Sequence, residues 1–228
     1  MELIGGLSYV SYTIGAVVCG LAAIWIGRKG DSARADRTPA VVALALTANW
    51  CFAAASFVPG KPIVELTEIA RNLSWLFLLF RLFGNDGRDE TLRLVRPAAA
   101  ALAFVEVLQF LLLLISRNYA VTPELAALTF ETAALFRIMV AVGALVLLHN
   151  LYVGAAATSR QILRWSAAAL AGLWAFDLNY FTIAYLVGAV PGELSILRGI
   201  AAAIFAVPFA FGYTASTSDL EFRPSRAV

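Results

Sequence analysis

Charge is scarce in this chain of 228 residues. Only 14% of them are charged, where soluble domains carry about 25%. Histidine occurs once, at His149, and cysteine twice, at Cys19 and Cys51. Both cysteines lie in apolar runs without CxxC or histidine spacing, so they read as buried, inert thiols. Such a set cannot ligate zinc, and neither metal nor other cofactor is expected. Lysine is confined to Lys29 and Lys61, both in loops, so no late span offers an amine for a retinal Schiff base. Gly-rich phosphate loops, HExxH, GxSxG and Ser/His/Asp sets are missing, and no catalytic residue is assigned. No basic stretch precedes the first apolar run and no Ala-x-Ala site follows it. It therefore reads as a retained span and not as a cleaved signal.

Apolar residues dominate instead. They make up 61% of the chain, and the mean hydropathy is +0.81. A soluble core of this size could not hide so much apolar surface, so the composition implies a polytopic membrane protein. Seven apolar segments approach the ~20 residues needed to cross a bilayer: residues 3–27, 39–58, 63–83, 97–116, 126–152, 162–187 and 196–217. Polar or turn-forming stretches separate them, at 28–37, 59–62 (Pro-Gly-Lys-Pro), 84–96, 117–124, 154–161 and 188–195. The expected fold is all-α, one seven-span membrane domain over 1–217 followed by a cytoplasmic tail at 218–228. No internal repeat is apparent.

Basic residues orient the spans. With the first loop placed in the cytoplasm, twelve of the seventeen Lys and Arg fall on that side, among them Arg28, Lys29, Arg34, Arg37, Arg160 and Arg164. The other five are Lys61, Arg71, Arg117, Arg137 and Arg198. The expectation is an external N-terminus and a cytoplasmic C-terminus. The external loops are short.

The third segment, residues 63–83, carries most of the chemistry. At about 100° per residue on a helix, Glu65, Glu68, Asn72 and Trp75 share one stripe, with Arg71 at its edge. A charge at mid-bilayer costs roughly 2.5–3.5 kcal/mol on insertion scales, so these charges need partners on other spans. The inferred topology puts candidates at similar height: Glu106 and Gln109 on the fourth span, Glu131 and Arg137 on the fifth, Asp177 on the sixth and Arg198 on the seventh. Arg71 is expected to pair with Asp177 or Glu106, and an intrahelical Glu68–Arg71 pair is also open. Five acids against three bases leave a surplus of two negative charges. Proton uptake, a bound cation or a positively charged ligand group could balance it.

The sixth span adds Trp174, Asp177, Tyr180 and Phe181 on one helical face. A carboxylate among aromatics suits a ligand pocket; it also suits helix packing, with Asp177 paired to Arg137 or Arg198. Glu65, Glu68, Arg71, Asn72, Glu106, Glu131, Arg137, Trp174, Asp177, Tyr180 and Arg198 are thus the candidate ligand-binding residues. Tyr119, Tyr152 and Trp165 fit the interfacial aromatic belt, and Pro208 is placed to kink the seventh helix.

Several pieces in order resemble the N-terminal membrane region of the PrsK-type histidine kinases, which accompany exosortase/PEP-CTERM protein sorting and exopolysaccharide systems in Gram-negative bacteria. They are Ala70-Arg71-Asn72-Leu73-Ser74-Trp75, Asn150-Leu151-Tyr152, Arg164-Trp165, Ala175-Phe176-Asp177-Leu178, Leu197-Arg198-Gly199, Val207-Pro208 and the tail Pro224-Ser225-Arg226-Ala227-Val228. The sequence departs from that pattern at His149, before Asn-Leu-Tyr, and at Val153-Gly154 after it. The resemblance implies a two-component sensor in the bacterial inner membrane. Its membrane domain would detect a small or lipid-like ligand or a membrane state. It would be joined to a kinase region not contained in residues 1–228, acting in a homodimer on a response regulator and making no direct contact with nucleic acid. The alternative from the residues alone is a small-solute or ion transporter with the buried charges as its site.

Overall fold

The structure is a computed structural model that describes residues 2–31, 34–57, 60–84, 89–119, 122–155 and 157–214. The expected cytoplasmic tail at 218–228, the tail motif 224–228 and parts of the turns at Pro59 and at 85–88 lie outside the described residues. Among those described there are seven helices and no strand: α1 Glu2–Lys29, α2 Arg37–Ser56, α3 Pro62–Gly84, α4 Asp89–Tyr119, α5 Pro123–Gly154, α6 Ala157–Val187 and α7 Gly192–Thr214. Six of them, all but α3, are long and apolar enough to cross a membrane.

Helix boundaries follow local chemistry. Thr122 caps α5, its hydroxyl accepting from the Leu125 amide at 3.3 Å, and Pro123 opens the helix with the φ that a first turn requires. The turns before α3 and α7 need left-handed backbone, supplied by Gly60 (φ 82°) and Gly188 (φ 70°). Helices run on into most of the expected loops, and two boundaries differ most from the sequence reading. The helix α4 begins at Asp89 and runs through Pro97, so much of the expected loop 84–96 is helical. The connection between α5 and α6 shrinks from eight residues to two, Ala155 and residue 156. Polarity marked these stretches as loops, but polar residues also suit helix that projects beyond an apolar layer. Pro208 likewise lies inside a continuous α7.

Each helix packs on its sequence neighbours and α7 closes on α1, giving a ring of seven. Short connections make successive helices alternate in direction. The α1–α2 and α1–α7 seams include the small residues Gly15, Cys19, Cys51, Gly199 and Ala202, which allow backbones to approach closely. At the α1–α7 seam the Ser11 hydroxyl donates to the Ile196 carbonyl and accepts from the Ile200 amide at 3.1 Å. The one hydroxyl thereby ties α1 to two backbone groups of α7.

The helix α3 is a member of the ring, yet its side chains fill the interior. Glu68, Arg71, Trp75, Leu78, Leu79 and Phe83 are buried, while Ile63, Leu66 and Phe77 face outward. Trp75 donates from Nε1 to Thr47 on α2 at 3.0 Å and meets Phe209 on α7 edge-on at 5.1 Å.

At the far end, Arg34 forms a two-pronged pair with the fully buried Asp36, at 2.8 and 3.2 Å. Its guanidinium also lies 4.0 Å from the Tyr213 ring and donates to the Tyr213 carbonyl at 3.3 Å. The α1–α2 connection therefore holds the last turn of α7.

Candidate functional site

Eight residues of α3–α7 form one polar chain, buried except at its half-buried Glu65–Arg137 end. Its order is Glu65, Arg137, Glu68, Arg198, Asp177, Arg71, Asn72, Glu106. Glu65 on α3 accepts from Arg137 on α5. Arg137 also approaches Glu68 at 3.8 Å. Glu68 accepts from Arg198 on α7 at 2.5 Å, and the same Nη2 reaches Asp177 on α6 at 3.2 Å. The other oxygen of Asp177 accepts from Arg71. Arg71 donates to the Asn72 side-chain carbonyl from Nε at 3.1 Å and from Nη2 at 3.0 Å. The Asn72 amide then donates to Glu106 on α4 at 2.9 Å. Opposite charges alternate along most of the chain, which is how several ions can share an interior of low dielectric.

The sequence-derived pairing of Arg71 with Asp177 is present. Glu68, one turn from Arg71, pairs instead with Arg198 and Arg137, whose guanidiniums come in from helices across the ring.

Aromatic rings enclose the guanidiniums. Arg71 and Arg198 lie 4.4 and 4.8 Å from the Trp50 ring centre. Arg198 also lies 4.5 Å from Tyr180 and 5.0 Å from Phe181, and Arg137 lies 5.0 Å from Phe181. Tyr12 meets Trp50 edge-on at 5.5 Å. Ring faces attract cations most where water is excluded, so these rings take over part of the solvation that burial removes.

Glu131 and Trp174 stand apart from this arrangement. Glu131 lies on an exposed face of α5. Six residues separate it from Arg137, which rotates it about 120° around the helix, and similar height does not bring it inward. The acids of the cluster are therefore Glu65, Glu68, Glu106 and Asp177 against three arginines, a surplus of one and not two. Trp174 is buried one turn from Asp177 without joining the polar chain. Gln109 ties α4 to α5 through the Ala133 carbonyl at 3.0 Å. His149 is exposed. No group of three or more His, Cys, Asp or Glu suited to a metal occurs among the described residues.

One end of the ring encloses a cavity of about 740 Å³, within the range of small-molecule sites. Its wall takes the start of α1, the end of α2, the start of α3, the end of α4, the start of α5, the end of α6 and the start of α7. Glu65, Glu68, Arg137 and Arg198 form its polar floor, while Arg71, Asp177, Asn72 and Glu106 lie behind it. Two further cavities, one beside Arg34, Asp36 and Tyr213 and one among Cys19, Thr47, Trp75 and Phe209, hold only about 10 Å³ each.

Sequence reasoning did not single out Tyr12 or Trp50 for this site. Neither carries a charge, and an aromatic residue inside an apolar span gives no sign of which neighbour it will meet. The arrangement sets two guanidiniums and two carboxylates at the floor of the cavity and links that floor to five helices. Comparison of the chain with family models, with curated proteins and with solved structures finds no match in any of the three.

Proposed function

We propose that this chain is a seven-span, multi-pass sensor domain of the bacterial inner membrane that reads a ligand or membrane state through the cavity and its polar floor. The observation that carries the reading is the polar chain from Glu65 to Glu106, because a perturbation at its cavity end alters pairs shared by α3, α4, α5, α6 and α7. The resemblance to PrsK-type kinases supplies the output: a kinase region and response regulator controlling exopolysaccharide and PEP-CTERM sorting genes, with the parent protein a homodimer.

In this reading α3 is the seventh membrane crossing. It occupies a place in the ring between α2 and α4, its outward residues include Ile63, Leu66 and Phe77, and its buried charges meet partners inside the bundle. The basic bias puts the cavity end outside and the Arg34–Asp36–Tyr213 clamp inside. The helix α7 joins the two. Arg198 sits at its cavity end and Tyr213 fifteen residues on, about 22 Å along the axis. A shift in Arg198 pairing favours one of two bundle arrangements, and the clamp transmits it to the residues that follow α7.

Orientation is tested by cysteine labelling on intact cells with a membrane-impermeant maleimide. Lys61→Cys is expected to label and Lys29→Cys to label only after the cells are opened. The reverse pattern would invert the topology.

Signalling is tested with the domain joined to a histidine-kinase transmitter and a promoter reporter. Glu65→Gln keeps size and most hydrogen bonding but removes the charge that holds Arg137. It is expected to change output per molecule at least threefold in one lasting direction, with membrane protein level unchanged. Unchanged output per molecule would leave the polar chain as structural glue. Saturable solute uptake into proteoliposomes, abolished by Glu65→Gln, would mark a transporter instead.

A further inference from the structure

The hydrogen-bonding balance of the cavity floor indicates what kind of ligand it accepts. Its carboxylate oxygens are largely spent. Glu68 faces Arg198 with one oxygen and Arg137 with the other. Both oxygens of Asp177 are engaged, by Arg71 and Arg198. A cationic ligand would find one oxygen of Glu65 and little else.

The guanidiniums are in the opposite state. Arg137 lines the cavity and, among the described residues, makes a hydrogen bond through Nη2 alone, to Glu65. Arg198 also lines it and engages its carboxylates through Nη2 alone, while its Nε is buried without a hydrogen-bond partner. A guanidinium presents its donors as a planar fork suited to carboxylate or phosphate, and most of these two forks is unused. Above the floor, Leu112 and Leu113 on α4 and Phe130 and Ala133 on α5 make the wall apolar.

We infer that the cavity binds an amphiphile with an anionic oxygen head, a carboxylate or phosphate on an alkyl chain. The head is held by Arg137 and Arg198, and the chain lies against the α4–α5 wall. The head takes the place of Glu65 on Arg137. Glu65 can give way because it lies in the first turn of α3, and its side chain is 23% exposed, the most of any acid in these ion pairs. This deepens the sensor reading and rests on it for the consequence of binding, though binding itself is measurable without any kinase.

The full chain is reconstituted in phosphatidylcholine nanodiscs and titrated with radiolabelled octyl phosphate, with empty discs subtracted. One saturable site per chain is expected. Octanol and octyltrimethylammonium are expected to compete at least tenfold more weakly than unlabelled octyl phosphate. Ala133→Trp, which fills the cavity and leaves every charge in place, is expected to weaken binding at least tenfold. Leu112→Trp serves as a second filler, and each is accepted only if it elutes as the wild type does. Arg137→Gln combined with Glu65→Gln removes the outer pair together and is expected to do the same. Discs containing a tenth of phosphatidylglycerol separate two sources of the head. Loss of the octyl phosphate site there assigns it to a bilayer lipid, and retention assigns it to a free amphiphile. Equal competition by the alcohol or the cation, or full binding in both folded fillers, would overturn the inference. The reporter test with Glu65→Gln needs no ligand, so failure of this ligand class and failure of the sensor reading show up separately.

Discussion

Asp177→Ala is expected to lower the unfolding free energy by about 3–5 kcal/mol, the usual cost of removing one partner from a buried ion pair. Asp177 accepts from both Arg71 and Arg198, and all three side chains are buried. Without it, Arg71 keeps only the neutral Asn72 carbonyl and the face of Trp50. Arg71→Leu is also destabilising, because Asn72 loses its donors and Asp177 is left to Arg198 alone. In Asp177→Ala/Arg71→Leu the opposite charges leave together, so its loss should fall clearly below the sum of the two single losses. A double-mutant cycle from unfolding in mixed micelles measures this, with a coupling of about 0.5–3 kcal/mol expected for residues in contact. Additive losses would mean that the two side chains do not stabilise each other.

Gly199→Ala is expected to cost about 1–3 kcal/mol through overpacking, and Gly199→Leu to prevent assembly of α1 on α7. A Cβ at Gly199 would lie 2.7 Å from the Ser11 carbonyl carbon and oxygen. These are backbone atoms of a packed helix and cannot rotate away. Relief requires α1 and α7 to separate, which would also pull Ser11 from its place between Ile196 and Ile200. Gly15→Ala meets the same seam from the other side, 2.7 Å from the Gly199 carbonyl oxygen and 2.9 Å from the Cys51 sulfur. The two substitutions are therefore expected to be non-additive. Gly20→Ala is the control, since nothing lies within 4 Å of a Cβ there. It should be neutral or stabilise α1 by up to about 1 kcal/mol. Thermal unfolding in detergent ranks the set, and equal losses at Gly20 and Gly199 would remove the seam as the cause.

These two sites differed in how far they could be read from sequence. The charges of α3 were conspicuous because ions are costly in apolar surroundings, and helical periodicity put Glu65, Glu68 and Asn72 on one stripe. The need for partners on other helices followed, and Asp177 was among the few available. The Ser11–Gly199 contact gave no such sign. A serine and a glycine in apolar helices are unremarkable until two backbones meet. The same holds for Trp50 between Arg71 and Arg198, and for the cavity, which is space left by seven helices and not a property of any one of them.

The amino-acid sequence by itself determined that this chain is helical and rich in apolar segments of membrane-spanning length, and that residues 63–83 carry charges requiring burial against opposite charges. Composition and the 3.6-residue period act within a segment, so a linear reading captures them. Only the tertiary structure decided that Arg198 bridges Glu68 and Asp177, that Glu131 turns away, and that spent carboxylates and unspent guanidinium donors face one cavity. Those outcomes depend on how each helix is rotated and how closely it approaches its neighbours. Side-chain packing across the whole ring sets both.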